Sequence, residues 1–306
     1  MSQPQKGICA EPNLHGLFLM FNVDEGKEAI IRKKLSVILD IFEHYDEEHY
    51  EGMVSGVIAI GSNYWVELFP GAFPKELSPF PDFSEYDRSA PVVPFDLFVQ
   101  IRADRADICH AIGLEVCELL QGDVELVEQV KGFRFLDGRD LTGFVDGSDN
   151  PRGMKKLDVA IVGDEDPDFT GGSYIHVQRF QHNLDKWNRL SVAEQEMIMG
   201  RSKEDDVEFS SEYKATFSHS YKMSITDEQG QPVRLLRQSM PYGDMKVQGQ
   251  YFISCARSAA SFTRMLRNMI VADDNGDYDR LLDFTTAETG GAFFAPSVNF
   301  IKQHAK

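Results

Sequence analysis

The chain has 306 residues, of which 42% are hydrophobic, and its formal net charge is −18. This length supports a sizeable core, either in one large domain or in two fused smaller ones. The acidic balance argues against nucleic acid or an anionic membrane surface as a partner, because phosphate binding needs a basic face.

The first half of the chain alternates between strand-like and helix-like patterns. An apolar stripe from Ile30 to Phe42 predicts a helix, and Asp104 is the expected N-cap of a second helix. The stretch 70–94, rich in Pro, Phe and Ser, predicts a long surface loop. Short apolar runs typical of strands occupy residues 15–23, 55–61, 95–101 and 123–135.

The second half repeats this rhythm. A capping box from Ser191 to Glu194 opens a helical stretch that runs to Gly200, and an apolar stripe predicts another helix from Ser258. Strands are expected at 173–180 and 250–256, with a last strand beginning at Phe293. The segments 215–224 and 233–238 are predicted to be extended or irregular. The rhythm favours two similar α+β halves of ordinary domain size.

The N-terminus and the cysteines bear on localisation. Met1 to Ala10 has no apolar core behind its lysine, so no secretory signal is expected, and no apolar run is long enough for a membrane span. Cys9, Cys109, Cys117 and Cys255 are scattered without a Cys-x-x-Cys pair. This pattern favours the reduced thiols of a cytoplasmic protein over a disulfide framework or a zinc site.

The segment from Leu141 to Pro151 carries the most informative motif, a Gly-x-x-Asp-Gly sequence around Asp146. Its glycines permit unusual backbone angles and hold the carboxylate between them, an arrangement that suits proton transfer at a bound group. The alternative is an ordinary surface turn. A calcium loop is rejected because Pro151 occupies the position where that loop requires glycine.

This motif resembles the signature of the dye-decolourising peroxidases, a haem peroxidase family. Residues 217–220 resemble the family's iron-ligating histidine segment, and residues 236–243 resemble its distal-arginine segment. The blocks 250–257 and 283–297 also resemble the family's C-terminal blocks. The intervals fit as well, with 73 residues from Asp146 to His219 and 18 from His219 to Arg237.

The resemblance implies an α+β fold of two ferredoxin-like halves, with antiparallel sheets and peripheral helices in a dimeric α+β barrel-like arrangement. The halves are expected at 1–155 and 156–306, with most of the haem pocket in the second. It also implies a cytoplasmic homo-oligomer that reduces hydrogen peroxide and oxidises dye-like or phenolic small-molecule electron donors. The cofactor would be haem b (iron protoporphyrin IX), held non-covalently because the chain has no Cys-x-x-Cys-His attachment motif.

By the same resemblance, His219 is the proximal iron ligand, although an isolated histidine is more often a hydrogen-bonded core residue. An extended segment would place it on one face with Phe217. A ligating imidazole needs a carboxylate partner on its other nitrogen. Asp283 is the chosen candidate, with Asp279 and Glu288 as rivals.

Peroxide cleavage needs a group that moves a proton and a fixed cation that stabilises the developing negative charge. The family pattern gives these roles to Asp146 and Arg237, and the alternative is an ion pair that only holds a loop. Ser239 stands where some members carry asparagine, which leaves a third distal catalytic group open.

Further residues are expected to contact the haem. Arg201 matches a position near a propionate, although a cation at a helix C-terminus is equally ordinary. The remaining expected contacts, some of which are also typical of turns or core, are Gly147, Ser148, Asn150, Phe252 and Leu266.

Two alternatives and one further hypothesis accompany this interpretation. A haem-binding or haem-trafficking protein would have only incidental peroxidase activity, and a related haem enzyme would act on chlorite. Trp65, Trp187 and the ten tyrosines could relay electrons from bulky donors at the surface, but most such aromatic residues are simply packed.

Overall fold

The computed structural model describes residues 2–305. Eleven strands are formed within these residues: β1 His15–Val23, β2 Ser55–Gly61, β3 Ser84–Glu85, β4 Arg88–Ser89, β5 Leu97–Ala103, β6 Val124–Phe133, β7 Ser173–His182, β8 Leu236–Arg237, β9 Met240–Gly243, β10 Gln248–Ala256 and β11 Thr285–Ala295. The α-helices are α1 Glu28–Glu48, α2 Trp65–Leu68, α3 Ala106–Leu120, α4 Lys155–Ala160, α5 Leu184–Trp187, α6 Val192–Met199, α7 His219–Met223, α8 Ala259–Ile270 and α9 Val298–His304. No helix in this part of the chain is long and apolar enough to cross a membrane.

The main sheet consists of two antiparallel ferredoxin-like halves joined edge to edge. The first half has the strand order β2-β5-β1-β6 and the second has β11-β7-β10-β9. Strand β2 pairs with β11, and β6 pairs with β9. These two junctions close the sheet into a barrel, which confirms the predicted fold class.

The barrel interior is packed with side chains from both halves. Phe18 of β1 stacks on Tyr251 of β10 with ring centroids 4.7 Å apart, and Phe98 packs against Phe293 across the β5–β11 side. All four side chains are at most 1% exposed. Burial of these aromatic rings stabilises the junction between the halves, because each ring removes a large apolar area from water.

Helices cover the outer faces of both halves of the main sheet. In the first half, α1 presents Ile31, Leu35 and Ile38 to the sheet, and all three are fully buried. In the second half, α8 presents Phe262 and Leu266. Helices α6 and α7 stand beside α8, and the space between them and the sheet contains the candidate site described below.

Most of the predicted elements are confirmed, including the capping box at Ser191, where the hydroxyl accepts from the backbone N–H of Glu194. The prediction of an extended or irregular segment at 215–224 was wrong for residues 219–223, because Ser218 caps a five-residue helix there. Asp104 does not cap α3; its carboxylate accepts instead from Asn13 and the backbone of Leu14. The last strand begins at Thr285 instead of Phe293. The boundary between residues 155 and 156 stays a prediction.

Candidate active site

A cavity of about 490 Å³ lies between the outer face of the second half of the main sheet and the helices that cover it. Alternate residues of β7 and β10 line one side, because successive side chains of a strand point to opposite faces. The apolar part of the wall is formed by Phe180, Phe252, Phe262, Met265, Leu266 and Met269. Phe252 and Leu266 are thus among the lining residues, and their contact with a haem stays a prediction.

His219 is the first residue of α7 and lines this cavity. Its Nδ1 lies 2.6 Å from a carboxylate oxygen of Asp279, whose side chain is fully buried. The other carboxylate oxygen of Asp279 accepts from the backbone N–H of Leu281. With Nδ1 engaged, Nε2 is the ring nitrogen left for a metal, as in ligating histidines that carry a carboxylate partner.

The choice of Asp283 as the partner of His219 was wrong. Asp283 accepts a hydrogen bond from the hydroxyl of Tyr278 and lies 3.5 Å from the guanidinium of Arg280. Residues 280–283 form a 3-10 turn capped by Asp279. Asp279 precedes this turn and contacts His219, whereas Asp283 lies at the end of the turn and contacts other residues. Glu288 lines a separate surface groove instead.

Asp146 enters the cavity from a loop that needs both of its glycines. Gly143 and Gly147 have φ angles of 89° and 77°, in the left-handed region that other residues avoid. A Cβ on Gly143 would lie 2.5 Å from the Lys203 side chain. The Asp146 carboxylate accepts from the side-chain amide of Gln250 at 2.7 Å.

Arg237 also lines the cavity, and Asn150 fixes its backbone. The Asn150 side-chain amide donates to the carbonyl of Arg237, and its oxygen accepts from the backbone N–H of Arg237, both at 2.9 Å. This double contact couples the Asp146 loop to β8. Asn150 is therefore a positioning residue and is not among the residues that line the cavity.

Asp146 and Arg237 influence each other electrostatically without forming a salt bridge in the described chain. Burial raises the pKa of the Asp146 carboxyl, and the nearby guanidinium of Arg237 works in the opposite direction. The Asp140 carboxylate adds to the rise. A carboxylate whose pKa is raised is a stronger proton acceptor, and a guanidinium supplies a fixed positive charge beside it.

Besides Asn150, three further predicted site residues lie outside the cavity wall. Ser239, Gly147 and Ser148 are not among the residues that line it. The Ser239 hydroxyl accepts instead from the backbone N–H of Ile253 at 3.2 Å, which stabilises the local strand geometry. Among residues 2–305, the Ser239 side chain makes no hydrogen bond to Asp146 or Arg237.

Arg201 is buried and lines the cavity near its acidic edge. Its Nε lies 2.8 Å from Asp206, and a terminal nitrogen lies 3.4 Å from the exposed Asp149. The guanidinium is thus paired with carboxylates on the cavity wall. Its contact with a haem propionate stays a prediction.

The sequence analysis did not identify several polar residues of the cavity. Gln178 and Gln250 each have one buried amide atom with no hydrogen-bond partner among residues 2–305. Asp140 and His182 form a hydrogen-bonded pair at 3.1 Å on another part of the wall. Gln178 and Gln250 occupy alternating strand positions, a signal that becomes useful only once the cavity-facing side of the sheet is known.

The two ferredoxin-like halves and the arrangement of His219, Asp146 and Arg237 around one cavity match the architecture expected of a dye-decolourising peroxidase. The family models described as "Dyp-type peroxidase, N-terminal" and "Dyp-type peroxidase, C-terminal" match residues 5–134 and 137–300. The chain therefore belongs to the Dyp-type peroxidase family and is a peroxidase.

Individual relatives agree over nearly the whole chain. A dye-decolorizing peroxidase of Mycolicibacterium paratuberculosis is 39% identical over 98% of this chain and 85% of its own length. A Dyp-type peroxidase structure from Shewanella oneidensis is 46% identical, covers 99% of both chains and has a TM-score of 0.97. A DypB variant of Rhodococcus jostii RHA1, solved in complex with heme, is 36% identical, covers 98% of this chain and 97% of its own, and has a TM-score of 0.94.

Proposed function

We propose that this peroxidase uses non-covalently held haem b to reduce hydrogen peroxide and oxidises dye-like or phenolic one-electron donors. The observation that carries the proposal is the single cavity shared by the His219–Asp279 pair, Asp146 and Arg237. A ligand, a proton acceptor and a fixed cation around one apolar space are the groups that peroxide cleavage at a haem requires.

The residues of the cavity fit a haem. Its apolar wall includes phenylalanine rings and methionines, and the unpartnered amide atoms of Gln178 and Gln250 lie on side chains that line it. None of the cavity-lining residues in the described chain is a cysteine, which supports non-covalent binding. His219 would hold the iron and Arg201 would contact a propionate.

When bound, the haem would supply the redox-active iron at which peroxide is reduced. Asp146 would take a proton from the proximal peroxide oxygen and return it to the distal one, so that the leaving oxygen departs as water. The Arg237 guanidinium would stabilise the negative charge that develops during O–O cleavage. Asp279 would orient His219 and increase its basicity through the Nδ1 hydrogen bond.

The first experiment is an absorption spectrum of the purified protein with added haemin, for the wild type and for His219→Ala. The expected result is a sharp Soret band with ferric charge-transfer features in the wild type, altered or lost in the variant. His182→Ala is a matched control, because His182 lines the same cavity and is already bonded through both ring nitrogens. Spectra like that of free haemin for both wild type and His219→Ala would contradict the proposal.

A kinetic test distinguishes a peroxidase from a haem carrier. Rapid, stoichiometric oxidation of the haem protein by peroxide is the result expected of an enzyme. A sluggish reaction that does not depend on Asp146 or Arg237 would instead support a haem carrier. We also propose a cytoplasmic homo-oligomer, which size-exclusion chromatography with light scattering and subcellular fractionation would test.

A further inference from the structure

His182 and Asp140 form a second acid–base pair in the cavity wall, separate from the His219–Asp279 pair. His182 Nε2 lies 3.1 Å from an Asp140 carboxylate oxygen, and the two side chains are 6% and 16% exposed. The other Asp140 oxygen accepts from the hydroxyl and the backbone N–H of Thr142. On its other side, His182 Nδ1 lies 2.8 Å from the hydroxyl of Thr285.

This network has room for one additional proton. The Thr285 hydroxyl can donate its single hydrogen either to His182 or to the carbonyl of Gln181, which lies 3.3 Å away. If it donates to Gln181, then His182 Nδ1 must itself carry a proton. Nε2 then needs a second proton to bond the Asp140 carboxylate. Two arrangements that differ by one proton therefore share the same heavy-atom positions.

His182 also separates the cavity from the protein surface. It lines both the large cavity and a second, polar groove of about 440 Å³. Three charged side chains from different elements face this groove, namely Asp185 of α5, Lys246 of the β9–β10 turn and Glu288 of β11. Asp140 faces His182 from the loop before Asp146. The imidazole therefore lies between the groove and the cavity, and its Nε2 faces Asp140 on the cavity side.

Asp140 connects this pair to the proposed catalytic carboxylate. Asp140 and Asp146 line the same cavity, and they belong to one loop in which the Asp140 backbone N–H donates to Phe144 and that of Asp146 donates to Gly138. Burial raises the pKa of Asp140, but the charge of His182 and hydrogen bonds from His182 and Thr142 lower it more, so the net shift is downward. The charge of Asp140 in turn raises the pKa of Asp146.

We infer that His182 and Asp140 relay protons from the surface groove to Asp146 during turnover, an inference that rests on the proposed function. Reduction of peroxide follows H2O2 + 2H⁺ + 2e⁻ → 2H2O, with both electrons supplied by the one-electron donors. A doubly protonated His182 gives its Nε2 proton to Asp140, Asp140 passes a proton to Asp146 through cavity water, and the neutral imidazole then takes up a proton from solvent. Both are positioning and relay residues, because they act through Asp146.

The test uses the haem-loaded full chain and compares His182→Gln and Asp140→Asn with the wild type. The rate of oxidation by peroxide and the steady-state turnover with a phenolic donor are measured between pH 4.5 and 8, in H2O and in D2O. A relay predicts turnover reduced about tenfold to a hundredfold, a changed pH profile and partial rescue of His182→Gln by added imidazole. His304→Gln is the matched control, since His304 of α9 hydrogen-bonds the Phe300 carbonyl and packs on the rings of Phe69 and Phe300, and it does not line the cavity.

The possible outcomes separate the relay from the proposed function. A wild type that does not react with peroxide would contradict the proposed function itself. A reactive wild type whose pH profile is unchanged in His182→Gln, without imidazole rescue, would overturn the relay. If His182→Gln fails to fold, Thr285→Val removes the Nδ1 partner and keeps the imidazole. That variant should also change the pH profile, and an unchanged profile there would overturn the relay equally.

Discussion

His219 Nδ1 lies 2.6 Å from a carboxylate oxygen of Asp279, and the Asp279 side chain is fully buried. A buried carboxylate needs such partners, because desolvation penalises its charge unless hydrogen bonds replace water. The His219 ring and the Leu281 backbone N–H provide them. This contact fixes the orientation of the His219 ring and leaves Nε2 available for a ligand in the cavity.

Asp279→Asn should preserve haem binding and slow the reaction with peroxide by about tenfold, because the amide lacks the charge that makes the imidazole electron-rich. Stopped-flow absorption measures the rate, and resonance Raman spectroscopy measures the iron–histidine stretch. Asp283→Asn is the matched control and should change neither quantity, since Asp283 contacts Tyr278 and Arg280. The reverse ranking of the two variants would assign the support of His219 to Asp283.

Asp146→Asn and Arg237→Leu should each slow peroxide cleavage by about a hundredfold while leaving the ferric spectrum of a histidine-ligated haem. The first change removes the proton acceptor, and the second removes the fixed cation that lines the same cavity. Single-turnover kinetics with limiting peroxide measures both. Ser239→Ala should retain the wild-type rate, because within residues 2–305 its hydroxyl bonds only the Ile253 backbone. Wild-type rates in the first two variants would favour a haem carrier.

The sequence predicts the site well where the backbone conformation requires a particular residue type. Gly143 and Gly147 have left-handed backbone angles, and the carboxylate between them reaches the cavity as expected. The partner of His219 could not be chosen from sequence, because Asp279 and Asp283 lie only four positions apart. Which of them is buried depends on a turn that carries no periodic signal.

At the scale of elements, α7 shows why a short helix evades pattern analysis. Its five residues span little more than one turn, so no apolar repeat can develop. Two side chains of this region instead fix its position. The Ser218 hydroxyl caps the helix, and the Ser220 hydroxyl donates to the carbonyl of Met199 at the end of α6.

Gly200→Ala should destabilise the protein and weaken haem binding through α7. Gly200 ends α6 with a φ of 78°, and a Cβ there would lie 2.8 Å from the Ser218 hydroxyl oxygen. The left-handed backbone costs about 1–2 kcal/mol for a non-glycine residue, and overpacking adds about 1–3 kcal/mol. The measurements are the free energy of unfolding in urea and the affinity for haem.

Gly276→Ala is the control for Gly200→Ala. Gly276 has a φ of 82°, but no atom lies within 4 Å of the position of an added Cβ. This variant should lose only the backbone contribution of about 1–2 kcal/mol and bind haem normally. Equal losses of stability and haem affinity in the two variants would show that the contact between Gly200 and Ser218 does not support the site.

At the scale of the whole molecule, the repeated rhythm of the sequence predicted two α+β halves, but it could not predict their connection. The halves meet where Phe293 and Phe294 pair with Gly61 and Ile60, and where Gly132 pairs with Tyr242. Such pairings join residues far apart in the chain and leave no local pattern. The cavity could likewise not be located until the sheet faces were known.

His176 links the packing of this architecture to pH. It lies on β7, is 4% exposed and stacks on Phe262 with ring centroids 4.2 Å apart. Its Nδ1 is buried without a hydrogen-bond partner among residues 2–305. Burial lowers the pKa of His176 to about 3, because the charged imidazolium cannot be solvated there.

The folded protein should therefore lose stability as the pH falls below the ordinary histidine pKa of about 6.5. Between that value and about 3, the unfolded chain takes up a proton at His176 that the folded chain excludes. The loss from this residue amounts to about 2 kcal/mol at pH 5.

His176→Phe should keep the stacking on Phe262 and remove this contribution. Urea unfolding of the haem-free protein at pH 7 and pH 5 measures it, and the variant should gain about 2 kcal/mol relative to the wild type between the two. Parallel losses in both proteins would show that His176 titrates in the folded state as it does in the unfolded chain.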